Sequence, residues 1–133
     1  MNKLPKPITE RKIRFALVGC GRIAQNHFSA IEQHAKNAEL VSVCDVDSNA
    51  LDDAVNKTGA TPFKTLPDML EKSDADVVIL TTPSGLHPAQ TIKIAEAKKS
   101  VVTEKPMATK WEDAKSMVKA CDENDVRLFV VKQ

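Results

Sequence analysis

Residues 12–133 read as one α/β domain, a doubly wound parallel sheet with helices on both faces. Three observations predict it. Apolar runs alternate with helical patterns almost to the end of the chain. Most of those runs are continuous in Val, Ile and Leu, as strands covered on both faces are. A Gly-rich junction near residue 20 passes straight from one such run into a helical pattern. Alternation in this order implies right-handed crossovers and hence a parallel sheet. At 133 residues the chain is one domain in size, long enough to bury roughly two-thirds of its unfolded surface.

The elements follow in order. Residues 1–11 carry Pro5 and Pro7 and read as a flexible leader. The first strand is Ile13–Val18, and a helix over Arg22–Ala35 shows Ile23, Phe28, Ile31 and Ala35 on one face. The second strand is Leu40–Cys44. Ser48 is expected to cap a helix with Leu51, Ala54, Val55 and Thr58 inward and Gly59 at its end. A short strand is expected at Thr61–Phe63. Thr65 with Asp68 resembles a capping box, with Pro67 in the first turn. Val77–Thr81 is the fourth strand, and Pro88 starts a helix through Ala89, Ile92 and Ala95. Val101–Thr103 is the fifth strand. Thr109 with Glu112 reads as a capping box ahead of Trp111, Ala114, Val118 and Cys121, and Leu128–Val131 is the last strand.

Composition removes several function classes. Hydrophobic residues are 42% and charged residues 28%, a globular balance. Lys and Arg number 19 against 18 Asp and Glu, so the basic excess that nucleic-acid binding needs is missing. Aromatics are 4% with no Tyr, which argues against base-stacking platforms. No apolar run nears the ~20 residues of a membrane span. The charged, Pro-containing start is no signal peptide, which leaves the cytoplasm as the expected location. Cys20, Cys44 and Cys121 are odd in number and far apart, so neither a disulfide framework nor a metal site is expected.

In a sheet of this kind ligands bind beyond the carboxyl ends of the strands, so chemistry is sought just after each one. The first strand runs into Gly19-Cys20-Gly21-Arg22-Ile23-Ala24. This is the G-x-G-x-x-A dinucleotide fingerprint of a Rossmann-type fold. Gly19 allows the tight turn, Gly21 lets the backbone approach a pyrophosphate, and Ala24 lets the helix pack close. The free N–H groups and the positive helix end then face the anion. An ordinary tight turn is the competing reading, and Arg22 is either a phosphate contact or an exposed helix residue.

Asp45 follows the second strand, 24 residues after Gly21. A carboxylate there accepts from both hydroxyls of the adenosine ribose and repels a 2′-phosphate, favouring NAD over NADP. Asp45 could instead be a turn residue, and Asp47 is better read as a turn or helix-start residue. Thr81, Thr82, Pro83, Ser84, Gly85, Leu86 and His87 form a polar loop after the fourth strand. His87 could cap the next helix, line the nicotinamide side, or do both. His27 and His34 are read as structural or solvent-facing. Glu104-Lys105-Pro106 ends the fifth strand, where a charged pair is costly unless it is paired or faces a cleft. Lys105 there could bind a substrate hydroxyl and relay its proton; a strand-end salt bridge is the alternative.

Together GCGRIA at 19–24, CDVD at 44–47, TTPSGLHP at 81–88 and EKPMA at 104–108 resemble the N-terminal domain of the glucose–fructose oxidoreductase / inositol dehydrogenase / rhizopine-catabolism oxidoreductase family. The resemblance runs from about Ile13 to Gln133, and EKP is its most specific piece. It implies NAD or NADP held by Gly19 and Gly21, with Arg22, Ile23, Asp45, Thr81, Thr82, Pro83, His87 and Glu104 lining the cofactor. It implies Lys105 as the catalytic-site lysine. Wording such as ILTTPSGLHP, TEKPMATKWEDA and LFVVKQ is similar to bacterial UDP-N-acetylglucosaminuronic acid 3-dehydrogenases, implying a nucleotide-sugar substrate of surface-polysaccharide synthesis. The family has a second α/β domain, which supplies oligomer contacts, much of the sugar pocket and a histidine that works with the lysine. That domain is absent here, so the expectation is cofactor binding without turnover, and a homo-oligomer for a full-length protein. A non-catalytic NAD sensor or scaffold is the rival reading. A methyltransferase shares the Gly loop and the acidic residue, but EKP argues against it.

Overall fold

A computed structural model describes residues 4–132. The first three residues of the expected leader, and Gln133 at the end of the family resemblance, lie outside the described residues. The order is β1 (Ile13–Val18), α1 (Ala24–Gln33), β2 (Ala38–Cys44), α2 (Ser48–Thr58), β3 (Thr61–Phe63), α3 (Leu66–Lys72), β4 (Val77–Leu80), α4 (His87–Glu96), β5 (Ser100–Thr103), α5 (Trp111–Glu123) and β6 (Leu128–Val130), with a 3₁₀ turn at Ser84–Leu86 before α4. All six strands pair in parallel in the order β3-β2-β1-β4-β5-β6. The chain starts in the middle, winds out to β3, and returns through α3 to build the other half. The strand order therefore reverses between β1 and β4, where a doubly wound sheet opens its ligand crevice.

The period-two alternation of strand side chains divides the core. From β1, Leu17 joins Val43 and Ile79 under Ala24, Phe28, Leu51 and Ala54 of α1 and α2. Ala16 and Val18 point the other way, with Val78, Leu80 and Val101, onto Leu66 and Met69 of α3, Ile94 and Ala95 of α4, and Ala120 and Cys121 of α5. Both faces of the central strands are covered, which is why they read as unbroken apolar runs.

Several local expectations are corrected. Asp47, not Ser48, caps α2: its carboxylate accepts from Asn49 N and Ala50 N, and Ser48 is the first helical residue. Gly59 ends that helix at φ 74°, as expected. Thr65 caps α3 by accepting from Asp68 N. Thr109 caps nothing; Lys110 holds the N-cap position of α5 without a side-chain bond, and Glu112 pairs with Lys115 at 3.1 Å instead of reaching back. The buried ladder of α5 is Met117, Ala120 and Cys121, while Trp111 and Val118 are exposed. In α4 the inward residues are His87, Thr91, Ile94 and Ala95, and Ala89 is exposed. In α1 they are Ala24 and Phe28, with Ile23 exposed.

Residues 4–11 form no helix or strand, yet they are tied down at their end. The Arg11 guanidinium grips both Asp76 carboxylate oxygens at 2.8 Å, and Arg14 N donates to Oδ2 of the same residue. A concavity of about 450 Å³ beside this segment, lined by Pro5, Lys6, Lys98 and Lys99, opens at the amino edge, away from the strand ends that carry the motifs.

Candidate functional site

Four loops meet at the carboxyl edge, after β1, β2, β4 and β5. Gly19 sits at φ +95°, and a Cβ on it would lie 2.8 Å from the Thr81 carbonyl carbon and oxygen and 2.9 Å from Thr82 N. The β1 turn is thus pressed against the end of β4, a closeness only glycine permits. Thr81 fixes that contact: its N–H and its hydroxyl donate to Val18 O at 2.9 and 3.0 Å, and the hydroxyl also reaches Gly19 O. Gly21 is different. A Cβ there would meet nothing within 4 Å, so no part of the chain explains the glycine, and the space before it stays open for a ligand.

The amino end of α1 opens onto the same space. Its N-cap Ile23 offers no side-chain bond, and no acidic residue occupies the first turn. Gln25 N and Asn26 N donate to Arg22 O and Ile23 O at 3.3 and 3.1 Å, which leaves the N–H groups ahead of them for an anion. Arg22 and Ile23 are both exposed beside them. Asp45, at the end of β2, accepts from Cys20 N at 2.8 Å through Oδ2 and from Asp47 N at 2.9 Å through Oδ1. It therefore braces the Gly loop from below, and each oxygen keeps a lone pair for a further donor such as a ribose hydroxyl. These residues fit the adenosine and pyrophosphate half of a dinucleotide.

The other half of the edge is built by β4 and β5. Thr82 donates to Gln90 Oε1 at 2.6 Å, and Pro83 is exposed ahead of the 3₁₀ turn. His87 is only 1% exposed. Its Nε2 donates to Thr82 O at 2.9 Å, while Nδ1 lies 3.1 Å from Pro106 O and 3.0 Å from Thr103 Oγ1. The ring is a bolt between the β4 and β5 loops, with no nitrogen turned to the edge. Glu104 N donates to Leu80 O at 3.1 Å, which seats the motif at the sheet. The Lys105–Pro106 peptide bond is cis, and Lys105 is exposed. The strand-end salt bridge weighed for Lys105 does not form: among the described residues its ammonium pairs with no carboxylate.

One residue the sequence reading set aside belongs here. His27 points from the first turn of α1 across the edge, with Nε2 2.6 Å from Glu104 Oε2. His27 follows Ala24 by one helical turn, and Ala24 is buried against the sheet; that spacing was the available signal. His34, exposed at the end of α1, stays away from the edge.

The thiols offer no nucleophile. Burial pushes Cys20 up to about 12, with the Asp45 carboxylate adding to it, and pushes Cys44 and Cys121 to about 11. Among the described residues no group of three or more His, Cys, Asp or Glu could hold a metal ion. No helix among them is long and apolar enough to cross a membrane.

Residues 13–132 match the model of the oxidoreductase family with an NAD-binding Rossmann fold, the glucose–fructose oxidoreductase / inositol dehydrogenase / rhizopine-catabolism group. The chain belongs to this family. Its Rossmann sheet is accordingly an NAD-binding domain. It is 62% identical to the WlbA dehydrogenase of Bordetella pertussis, solved with NADH and UDP-GlcNAcA, with a TM-score of 0.93 over 94% of this chain and 36% of that one. The WlbA dehydrogenase of Chromobacterium violaceum, solved with the same two ligands, is 63% identical with a TM-score of 0.96, over 98% of this chain and 38% of that one. An inositol 2-dehydrogenase of Saccharopolyspora erythraea is 30% identical over 90% of this chain and 35% of its own length. The chain thus spans little more than a third of these relatives.

Proposed function

We propose that this domain is the cofactor half of an NAD-dependent dehydrogenase that oxidises a hydroxyl of a nucleotide sugar, with UDP-N-acetylglucosaminuronic acid as substrate and C3 as the position oxidised. The observation that carries it is the meeting, at one sheet edge, of an unfilled Gly21 approach, the braced Asp45 and an exposed Lys105, in a chain 62% identical to a dehydrogenase solved with NADH and UDP-GlcNAcA.

Bound NAD supplies the hydride acceptor. Gly21 and the N–H groups opening α1 receive its pyrophosphate. Asp45 accepts from the adenosine ribose hydroxyls and repels a 2′-phosphate, favouring NAD over NADP. Thr81, Thr82, Pro83 and Glu104 line the nicotinamide side, with His87 holding their loops from beneath. Lys105 would bind the reacting hydroxyl and relay its proton to solvent, accepting it in the neutral amine form while the hydride passes to the nicotinamide. On this reading turnover needs a second, sugar-binding domain, as the family resemblance implies. The complete enzyme is then a cytoplasmic homo-oligomer acting in surface-polysaccharide synthesis, and the three free, buried cysteines suit a reducing compartment.

The test uses this chain alone and fused to the remaining residues of the B. pertussis dehydrogenase, with NADH formation from UDP-GlcNAcA as readout. Activity is expected only in the fusion. Lys105→Met in the fusion should lower kcat by about 10²–10⁴-fold with NADH affinity unchanged. An unchanged kcat would remove Lys105 from the chemistry, and a fusion that binds NADH but leaves the sugar untouched would remove the substrate.

A further inference from the structure

The contact between His27 and Glu104 bridges 77 positions of sequence. It joins the first turn of α1, at the pyrophosphate end of the proposed site, to the residue before Lys105. Its side chains are 16% and 18% exposed, so water competes little for either partner. A carboxylate only accepts, so Nε2–H is the donor whether the ring is neutral or charged. At 2.6 Å the bond is in the short range of charge-assisted contacts. It occupies Oε2 alone. Among the described residues Oε1 of Glu104 has no hydrogen-bond partner.

A carboxylate held by one oxygen presents the other in a fixed direction. Without His27, Glu104 would be a flexible side chain at the lip of the edge, free to swing toward the Lys105 ammonium on the next residue. Asp45, at the end of β2, lies three strands from β5 in the sheet, so the adenosine ribose contact does not depend on this pair, while α1 carries His27 and a loss at its pyrophosphate end would show with ADP as well.

We infer that His27 is a positioning residue of the cofactor site, which fixes Glu104 so that its second carboxylate oxygen accepts from a hydroxyl of the nicotinamide-side ribose. The inference rests on the dinucleotide reading above and adds a residue to it.

The experiment compares NADH with ADP, which keeps the adenosine and pyrophosphate groups but lacks the nicotinamide ribose. NADH is titrated by its fluorescence and ADP by calorimetry, on this chain. His27→Ala should weaken NADH about ten-fold and leave ADP within about two-fold. His27→Gln, whose amide can still donate to Glu104, should recover most of the loss. In a Glu104→Ala background, His27→Ala should have no further effect on NADH. Equal weakening of NADH and ADP would make His27 a structural staple of α1 and overturn the inference, as would unchanged NADH affinity or a folded His27→Gln without rescue. Should His27→Ala not fold, Glu104→Ala carries the same comparison. A folded parent chain that binds neither ligand would remove the proposed function, and this inference with it; a parent that binds both, with variants indistinguishable from it, would remove only the inference.

Discussion

Two glycines of one motif do different work. Gly19 serves the fold: its positive φ and the Thr81 backbone 2.8 Å from a would-be Cβ leave no room for a side chain. Gly21 serves the ligand, because a Cβ there touches nothing in the chain. The pair therefore gives a split prediction. Gly19→Ala should destabilise the domain by roughly 1–3 kcal/mol, read as a lower denaturant midpoint. Gly21→Ala should leave that midpoint within about 0.5 kcal/mol and still abolish NADH binding. Equal stability losses in the two variants would contradict the assignment. Asp45 works on both levels, since the carboxylate offered to a ribose also braces Cys20 and Asp47. A loss of affinity in Asp45→Ala must be read beside its stability.

At the scale of elements, strands are legible as unbroken apolar runs and helices by their 3.6-residue period, and the corrections cluster at helix ends and faces. Asp47 and Ser48 are adjacent cap-competent residues, and sequence does not say which is one step outside the helix; the turn braced by Asp45 decides it. Thr109 and Glu112 have capping-box spacing, but Glu112 is claimed by Lys115. Trp111, the first residue of α5, is 75% exposed, with the Lys115 ammonium 5.9 Å from its ring centroid. The segment before β1 is held at Asp76. Arg11 holds that carboxyl below the ordinary carboxylate range, and the Arg14 N–H helps against the burial that opposes it. A carboxyl depressed in the folded state stabilises fully above its unfolded value, near 3.9, and loses that contribution as pH falls through the folded value. The thermal midpoint should therefore drop on acidification below about pH 4, and Asp76→Asn should remove part of the drop. An identical acid slope in the variant would show that Asp76 contributes nothing.

For the whole molecule, the strand order places β1 and β4 side by side, so loops far apart in sequence share one edge. The motifs themselves were visible in the sequence, since each follows an apolar run. Their mutual contacts were not. The His27–Glu104 bond and the His87 bolt join residues whose proximity exists only once the strands are ordered. A lone histidine in a helix carries no sign of its partner on another strand. His87 drew attention by its loop, yet its buried ring makes it a support for that loop. On this reading the edge receives NAD through Gly21 and Asp45. The decisive experiment is titration of the folded chain with NADH and NADPH, alongside Asp45→Ala. Saturable NADH binding, weaker for NADPH and reduced by the substitution, is the predicted result. No NADH binding by a chain shown to be folded, or NADPH binding as tight as NADH, would contradict it.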